Sequence, residues 1–148
     1  MREIETSRFG PLRYEDTESI EFPKGLPGFE SEREFVLVER PESRPFLFMQ
    51  STTSPALCFV TAPVALLVPN YALGLSADDM LTLKTDESAG LDVLAIVCAI
   101  ENQPPTVNLL GPVVINRRAR RGVQTIRDDD RYSARHPISA KDSGGGSC

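Results

Sequence analysis

The sequence is poor in the side chains that catalyse reactions or hold metal ions. Its 148 residues include one histidine, three cysteines and no tryptophan. A nucleophile–histidine–acid site would have to use His136, which stands in the polar segment SARHP beside a proline, so a surface residue is the favoured interpretation. Zinc needs three or four suitably spaced ligands, and these few residues supply no such set. The sequence therefore argues against an enzyme and against a bound metal or cofactor.

The cysteines also argue against a disulfide framework, because their number is odd and their spacing does not repeat. Cys58 and Cys98 lie in apolar runs and are predicted to be small core residues. Cys148 follows the flexible composition SGGGS. Residues 139–148 are accordingly predicted to form a flexible tail outside the domain, either natural or artificially added.

No segment is predicted to cross a membrane or to direct export. Residues 45–77 carry no charge, but Pro55, Pro63 and Pro69 cut them into pieces shorter than the ~20 apolar residues that a span requires. The first five residues, MREIE, lack the apolar run of a signal peptide. We therefore expect a cytoplasmic protein that does not bind membranes.

Motifs for small ligands are also missing. The glycines at 144–146 neither follow a strand nor open a helix, so they do not form a phosphate-binding loop. The acidic run at 128–130 lacks the glycine and the distal glutamate of a calcium loop, and a solvated turn is favoured there.

What the sequence does contain is a series of short β-prone runs with turn signals between them, including most of its 12 prolines. Strands are predicted at 3–10, 19–22, 34–40, 45–50, 56–62, 65–68, 91–100, 113–116 and 122–126. One short helix, ADDMLTL, is predicted after Ser76, which is a good N-cap with Asp79 three residues on. The fold class is mostly β: a small antiparallel β-barrel or sandwich-like single domain over residues 1–138, with one or two short helices. From about Arg127 the chain is polar, and its end is predicted to be disordered.

Four arginines cluster within five residues near the end of the predicted sheet: Arg117, Arg118, Arg120 and Arg121. Such a cluster can bind phosphates, and an RNA-binding β-barrel using Arg117–Arg121 is the alternative function. However, residues 102–131 contain no Phe or Tyr on which bases could stack, and the net charge of the chain is −5. A charged hairpin turn between VVIN and GVQTI is favoured, with no direct binding of nucleic acid.

The segment FPKGLPGFE, residues 22–30, is unusually stiff and apolar for a loop. Pro23 and Pro27 fix φ, whereas Gly25 and Gly28 permit positive φ, so the segment is expected to hold one shape. Its apolar side chains are Phe22, Leu26 and Phe29. They either cap the barrel from within or form a preorganised patch for a protein partner.

The same residues resemble a known family. FPKGLPGF, EFVLVE, PFLFMQS, ALCFVTAP and PNYALGLS, followed by TVNLLGPVVINRRARRGVQ (106–124) and RYSARHPI (131–138), are similar to the FliW family of flagellar assembly factors over residues 3–138. FPKGLPGF and the pattern T-x-N-L-x-x-P-x-x-I-N are specific as a pair. The second pattern is formed by Thr106, Asn108, Leu109, Pro112, Ile115 and Asn116.

The resemblance implies a small β-barrel-like cytoplasmic protein without enzymatic activity and with two protein partners. The family binds flagellin before export, and it binds and antagonises the translational regulator CsrA. While flagellin is abundant, it occupies the family member and leaves CsrA free to repress flagellin translation. After flagellin has been exported, the released protein captures CsrA and lifts the repression. We expect the free protein to be monomeric.

Two surfaces are predicted for these partners. Phe22, Leu26 and Phe29 would anchor the amphipathic helical ends of flagellin. The acidic part of the chain would meet the basic surface of an RNA-binding regulator; its candidates are Glu30, Glu32, Glu34, Asp78, Asp79, Asp86 and Glu87. The predicted partner-binding residues are Phe22, Pro23, Gly25, Leu26, Pro27, Gly28, Phe29, Glu30, Glu32, Asp78, Asp79, Asn108 and Arg121.

The chain departs from the family pattern in its middle strands. Family members often carry acidic residues near the positions of Ser54–Ala56 and Thr61–Pro63, whereas this block is uncharged. Any electrostatic contact made there would be lost. The tail from residue 139 onward is a second departure.

Overall fold

The computed structural model describes residues 1–87, 90–129 and 131–138. The strands of these residues are β1 (Arg2–Thr6), β2 (Gly10–Tyr14), β3 (Ser19–Glu21), β4 (Glu34–Glu39), β5 (Leu47–Ser51), β6 (Cys58–Pro63), β7 (Asp92–Cys98), β8 (Thr106–Asn116), β9 (Arg121–Gln124) and β10 (His136–Pro137). The helices are α1 (Val64–Leu67) and α2 (Ala77–Leu83), and short 3-10 turns lie at Asp16–Glu18 and Pro41–Ser43. None of the described helices is long and apolar enough to span a membrane.

Seven of the strands form a closed barrel in the order β8-β7-β6-β5-β4-β3-β9, and β9 pairs back onto β8. Every pairing is antiparallel except that of β3 with β9, which is parallel and rests on the single pair Glu21 and Arg121. β10 adds to the far side of β8, and β1 with β2 forms a separate hairpin. The predicted fold class, a mostly β single domain with a small barrel and short helices, is confirmed.

The barrel interior is filled by alternate residues of the strands together with the loop that follows β3. Leu47 and Met49 point inwards from β5, whereas Phe48 points outwards. The interior cluster consists of Ile20, Phe22, Leu26, Phe35, Leu47, Met49, Leu94, Val113 and Ile115. Because loop residues complete this cluster, the barrel core depends on the conformation of residues 22–30.

Two smaller clusters on the outside of the barrel explain why β7 and β8 are apolar on both faces. Under α1, Val64 packs with Ala95, Val107 and Leu109. Under α2, Leu83 packs with Val114 and Val123. The helices thus cover the outer faces of strands whose inner faces already line the core. The prediction that residues 91–100 contain a central strand is confirmed, since β7 pairs with both β6 and β8.

The N-terminal hairpin corrects the prediction of one strand over residues 3–10. The chain reverses between Thr6 and Gly10, where the Thr6 hydroxyl donates to the Gly10 carbonyl (2.8 Å) and accepts from the Phe9 N–H (2.9 Å). Gly10 adopts φ of +67°, which a residue with a side chain rarely does. The tip then packs on the outer face of β5, where Phe9 meets Phe48 edge to face at 5.3 Å.

Residues 65–68 are also not a strand, because Val64–Leu67 form the short helix α1. Pro63 precedes it with φ of −60°, and the Val68 N–H closes the turn onto the Val64 carbonyl at 2.8 Å. In a strand, Val64 and Leu66 would lie on the same face. In the helix, Val64 is buried whereas Leu66 is 53% exposed.

The predicted helix after Ser76 is confirmed together with its cap. The Ser76 hydroxyl accepts from the Asp79 N–H at 3.0 Å, satisfying one of the free donors of the first turn of α2. The helix ends at Lys84, which adopts a left-handed conformation with φ of +57°. This places Asp78 and Asp79 at the positive end of the helix dipole.

Among the described residues after Arg127, the Tyr132 ring lies 4.4 Å from that of Tyr71, and β10 pairs with β8. The prediction that both cysteines are core residues is wrong. Cys98 is exposed and Cys58 is half-buried, so neither is a core residue. The predicted tail, 139–148, lies outside the described residues.

Candidate protein-interaction surface

The loop at 22–30 is a rigid plug in one end of the barrel. Phe22 is fully buried, with its ring edge to face on Phe35 at 5.4 Å. Leu26 is buried beside it in the interior cluster. Gly25 has φ of +65°, and a Cβ there would lie 2.5 Å from the Glu30 carbonyl oxygen, so only glycine fits where the loop crosses itself. The loop shape is therefore fixed by its own backbone as well as by the core.

The structure corrects the prediction that all three apolar side chains of this loop are available as anchors. Phe22 and Leu26 are core residues because the loop turns inwards, leaving them no surface to offer a partner. Phe29 alone of the three remains 41% exposed. Its ring rests edge to face on Phe59 at 5.5 Å, and Phe59 in turn packs against the interior cluster. The loop thus presents one aromatic ring on an aromatic base.

The acidic residues that follow Phe29 fasten the loop to its surroundings. The Gly28 N–H donates to the Glu30 carboxylate at 2.9 Å and lowers the pKa of Glu30. Glu32 accepts hydrogen bonds from the hydroxyls of Ser51 (2.5 Å), Ser54 (2.6 Å) and Thr53 (3.1 Å). These donors, Ser51 foremost, hold the pKa of Glu32 below its usual range. Glu32 therefore joins the loop to the turn between β5 and β6.

The loop also reaches α2, which brings two predicted groups together. Lys24 forms an ion pair with Asp78 in the first turn of α2. Asp79 is the next residue of α2, and its backbone N–H donates to the Ser76 hydroxyl. The stiff loop and the acidic start of α2 are therefore neighbours on one surface, although 54 residues separate Lys24 from Asp78.

Beyond α2, Asp86 and Glu87 are exposed and border an open cavity of about 960 Å³. Lys84 and Arg118 lie on the same rim, so the cavity wall carries both signs of charge. Among the other acidic candidates, Glu30 and Glu32 hold the loop, and Glu34 accepts from the Thr52 hydroxyl at 2.7 Å. Asp78 pairs with Lys24, whereas the carboxylates of Asp79, Asp86 and Glu87 have no ionic partner among the described residues.

Asn108 has a structural position in the sheet rather than on a free surface. Its side-chain oxygen accepts from the N–H groups of Leu110 (2.9 Å) and Gly111 (3.1 Å). These residues form the irregularity where the register of β8 against β7 shifts between Leu94 and Ile96. Asn108 thus caps a bulge in β8 through its side-chain oxygen.

The arginine cluster forms the turn between β8 and β9, as predicted. Arg117 pairs with Asp92 at 2.7 Å and Arg121 with Glu21 at 2.5 Å. Arg120 donates to the Asp16 carbonyl at 2.5 Å. Arg118 is the member of the cluster without an ion pair or hydrogen bond in the part of the chain that the structure describes. Arg120 and Arg121 therefore join the turn to the segment around β3, where the barrel closes, whereas Arg117 joins it to the start of β7.

Groups of three or more metal-ligating side chains are not found in the described parts of the chain. His136 lies half-buried in β10, opposite Val107. Asp129 of the acidic run pairs with Arg127 at 2.6 Å, so that part of the run belongs to a salt bridge. Asp130 lies outside the described residues.

Sequence reasoning missed the exposed apolar residues outside the loop. Leu81 on α2 is 77% exposed, and Ile126 after β9 and Ile100 after β7 are also exposed. Nothing in the alternation of these segments distinguishes them from core positions. For Leu81, the helical spacing from the buried Leu83 does place it on another face of α2.

Comparison with known proteins agrees with this architecture. The sequence model of the family described as "FliW protein" matches residues 3–138. Among curated relatives, the flagellar assembly factors FliW of Syntrophomonas wolfei and Desulfitobacterium hafniense strain Y51 are 32% and 38% identical over 136 residues. These alignments cover 91% of this chain in each case, and 87% and 90% of the relatives.

The FliW of Bacillus subtilis is 32% identical over 146 residues, with 98% of this chain and 99% of that protein covered. A solved structure titled as the crystal structure of the flagellar assembly factor FliW superposes with a TM-score of 0.82 at 28% identity. That superposition covers 95% of this chain and 99% of the other. Sequence, fold and coverage agree, and this chain belongs to the FliW family.

Proposed function

We propose that this protein is a cytoplasmic flagellar assembly factor that works by binding proteins and not by catalysis. Its partners are flagellin before export and the translational regulator CsrA. Flagellin and CsrA exchange on it: flagellin occupies the protein while it accumulates, and its export frees the protein to capture CsrA. Flagellin translation is thereby coupled to flagellin export.

The observation that carries this proposal is the family match over residues 3–138. It extends over the barrel, both helices and the loop at residues 22–30, which is termed the capping loop. Relatives that match across nearly their whole length are named flagellar assembly factors.

The geometry is consistent with protein binding through a preformed surface. The capping loop is fixed by the core, by Glu32 and by the ion pair with α2, so ordering it on binding would cost little conformational entropy. Phe29 offers a partly exposed aromatic ring on this rigid base, a type of residue that often contributes strongly to binding. For flagellin, this surface would be the anchor.

The charge distribution favours a separate contact with CsrA. A protein that holds RNA presents cations, and this chain has a net charge of −5. Asp86 and Glu87 are the exposed acids beside α2 that take no part in holding the loop. Their negative charge would steer a basic partner towards this face of the protein.

The test uses the purified chain with flagellin monomers and CsrA from the same organism, measured by calorimetry singly and in competition. We expect each partner to bind, and a preformed complex with flagellin to bind CsrA at least about tenfold more weakly, equivalent to about 1.4 kcal/mol of coupling. Failure of the wild-type chain to bind flagellin, or full occupancy by both partners without loss of affinity, would contradict the proposal.

The CsrA contact has its own control. Reversing Asp86 and Glu87 to lysine is expected to slow association with CsrA at low salt more than it changes dissociation, whereas Glu42→Lys, an exposed acid outside the candidate set, should not. Equal association rates for both variants in stopped-flow measurements would remove the electrostatic part of the proposal.

A further inference from the structure

A small cavity lies where the barrel closes between β3 and β9. It has a volume of about 400 Å³ and is bordered by residues of β3, the start of β4, the end of α2 and the turn between β8 and β9. Its charged lining residues are Glu21, Arg33, Glu34, Lys84, Arg120 and Arg121. Four of these are cations and two are acids, so the lining has an excess of two positive charges within a chain of net charge −5. This cavity is termed the closure pocket.

Three of the cations in the closure pocket have no ionic partner in the part of the chain that the structure describes. They are Arg33, Lys84 and Arg120. The fourth cation, Arg121, pairs with Glu21. Because the positive charge of the first three is not neutralised locally, the pocket is a favourable place for an anion.

Two of these cations stand on strained backbone. Lys84 and Arg120 adopt φ of +57° and +56°, in the left-handed region that glycine occupies at little cost. They are two of the three residues other than glycine with positive φ in the described chain, and both line the closure pocket. Glycine at either position would relieve the strain but would remove the charge. Strain of this kind is concentrated at functional sites, which indicates a role for the two side chains.

The side chain of Asn116 joins the two walls that carry these cations. Its amide group donates to the Leu83 carbonyl at 2.8 Å, directly before Lys84. Its oxygen accepts from the Ala119 N–H at 3.5 Å, directly before Arg120. The end of α2 and the turn between β8 and β9 are thereby held together, so the pocket is formed before any ligand arrives.

We infer that the closure pocket binds the phosphate group of a small anionic molecule. A phosphomonoester carries about 1.5–2 negative charges at pH 7, which matches the excess positive charge of the lining. Guanidinium groups donate in pairs to phosphate oxygens, and an ammonium group adds a compact positive charge. Arg33 and Arg120 would donate to the phosphate oxygens, and Lys84 would bind them from the α2 side. This inference goes beyond the proposed function and does not depend on it.

The remaining lining of the closure pocket argues against a nucleic acid or an acidic peptide. None of its described lining residues is aromatic, so bases would find no surface on which to stack. Glu21 and Glu34 are cross-strand partners of β3 and β4 at the pocket wall, and they would repel a chain of successive negative charges. A volume of about 400 Å³ is typical of a site for a small ligand. A compact phosphate compound therefore fits the pocket better than a polymer does.

Titration of the isotope-labelled protein with inorganic phosphate at pH 7, followed by nuclear magnetic resonance, tests the site directly. Sodium chloride of equal ionic strength is the reference. We expect saturable shifts of the amides at residues 33, 84 and 119–121, with a dissociation constant of about 1 mM or below. Shifts that follow ionic strength alone would overturn the inference.

The decisive variant is Lys84→Gly, which removes a pocket cation at a backbone conformation that glycine adopts readily. Arg118→Ala is the matched control, since it removes one positive charge from the neighbouring turn and Arg118 does not line the closure pocket. Lys84→Gly is expected to weaken phosphate binding about tenfold or more, and Arg118→Ala much less. Equal losses in the two variants would overturn the inference, because they would report net charge and not a site.

Two competitors identify the class of ligand. A short single-stranded RNA or a glutamate-rich peptide that shifts the same amides and binds more tightly than phosphate would overturn the assignment to a small phosphate compound. Glycerol phosphate that binds at least as tightly as inorganic phosphate would support it. Neither flagellin nor CsrA is present in these measurements, so their result is separate from the test of the proposed function.

Discussion

Truncating the two aromatic rings of the capping loop should separate its role as a plug from its role as a binding surface. In the sequence, Phe22 and Phe29 are equivalent in character, since they stand at the two ends of one apolar loop. In the structure Phe22 is fully buried against Phe35, whereas Phe29 is 41% exposed on Phe59. Replacing each with alanine removes the same atoms from two different environments.

The magnitudes follow from burial. Phe22→Ala deletes a ring from the closed interior and leaves a cavity among Leu26, Phe35 and their neighbours. Such substitutions cost about 3–5 kcal/mol, against a total stability of roughly 5–15 kcal/mol for a domain. With 41% of Phe29 exposed, roughly three-fifths of the 1.5–3 kcal/mol for full burial is at stake there, or about 1–2 kcal/mol.

Urea denaturation followed by circular dichroism gives the free energies of unfolding, and calorimetry with flagellin gives the affinities. Phe22→Ala should lose far more stability than Phe29→Ala. The folded fraction of Phe22→Ala should keep its affinity, while Phe29→Ala should bind flagellin at least about tenfold more weakly. Equal losses of stability would show that the loop does not plug the barrel as described. A Phe29→Ala protein with normal affinity for flagellin would refute the proposal that Phe29 anchors this partner.

Three further outcomes are expected. A Cβ at Gly122 would lie 2.5 Å from the Phe22 ring, so Gly122→Ala should cost about 1–3 kcal/mol in urea denaturation, whereas Gly74→Ala, with nothing within 4 Å, should change stability little. Glu32→Gln should destabilise the protein by about 1 kcal/mol at pH 7, since its hydroxyl contacts are partly exposed. Because folding lowers the pKa of Glu32, the ionised carboxylate stabilises the folded protein fully above its unfolded pKa of about 4.3, and this stabilisation is lost as the pH falls through the lower pKa of the folded state. The unfolding free energies of the wild type and Glu32→Gln should therefore converge in acid, and a difference that does not change with pH would contradict this. Lys84→Gly should stabilise the protein by up to about 1 kcal/mol and so raise its melting temperature, since glycine adopts the positive φ of that C-cap without strain. A lower melting temperature of the variant would contradict this expectation.

The sequence predicted the fold well because its signals are local. Alternation located β4, β5 and β9, the hydroxyl of Ser76 located α2, and the flanks of the arginine cluster located the hairpin that closes the barrel. Residues 64–67 failed because a run of apolar residues this short is compatible with either a strand or a helical turn. The packing of Val64 against Ala95 on the outer face of β7 favours the helical turn over the strand.

The candidate surface was predicted less completely, since exposure depends on how distant segments meet. Phe22, Leu26 and Phe29 have the same character in the sequence, and only the inward turn of the loop distinguishes them. Asn108 belongs to the T-x-N-L pattern of the sequence, but its role in a bulge depends on the register between β7 and β8.

The joint between β3 and β9 also bears on how the protein is made. Glu21 and Arg121 are 100 residues apart, and their parallel pair is the only ladder contact between these strands. During synthesis β3 emerges early, yet it can find β9 only after most of the chain has been translated. A ribosome-bound fragment would expose the aromatic residues that later line the interior. We therefore expect a binding-competent fold only after β9 has left the ribosome and paired with β3.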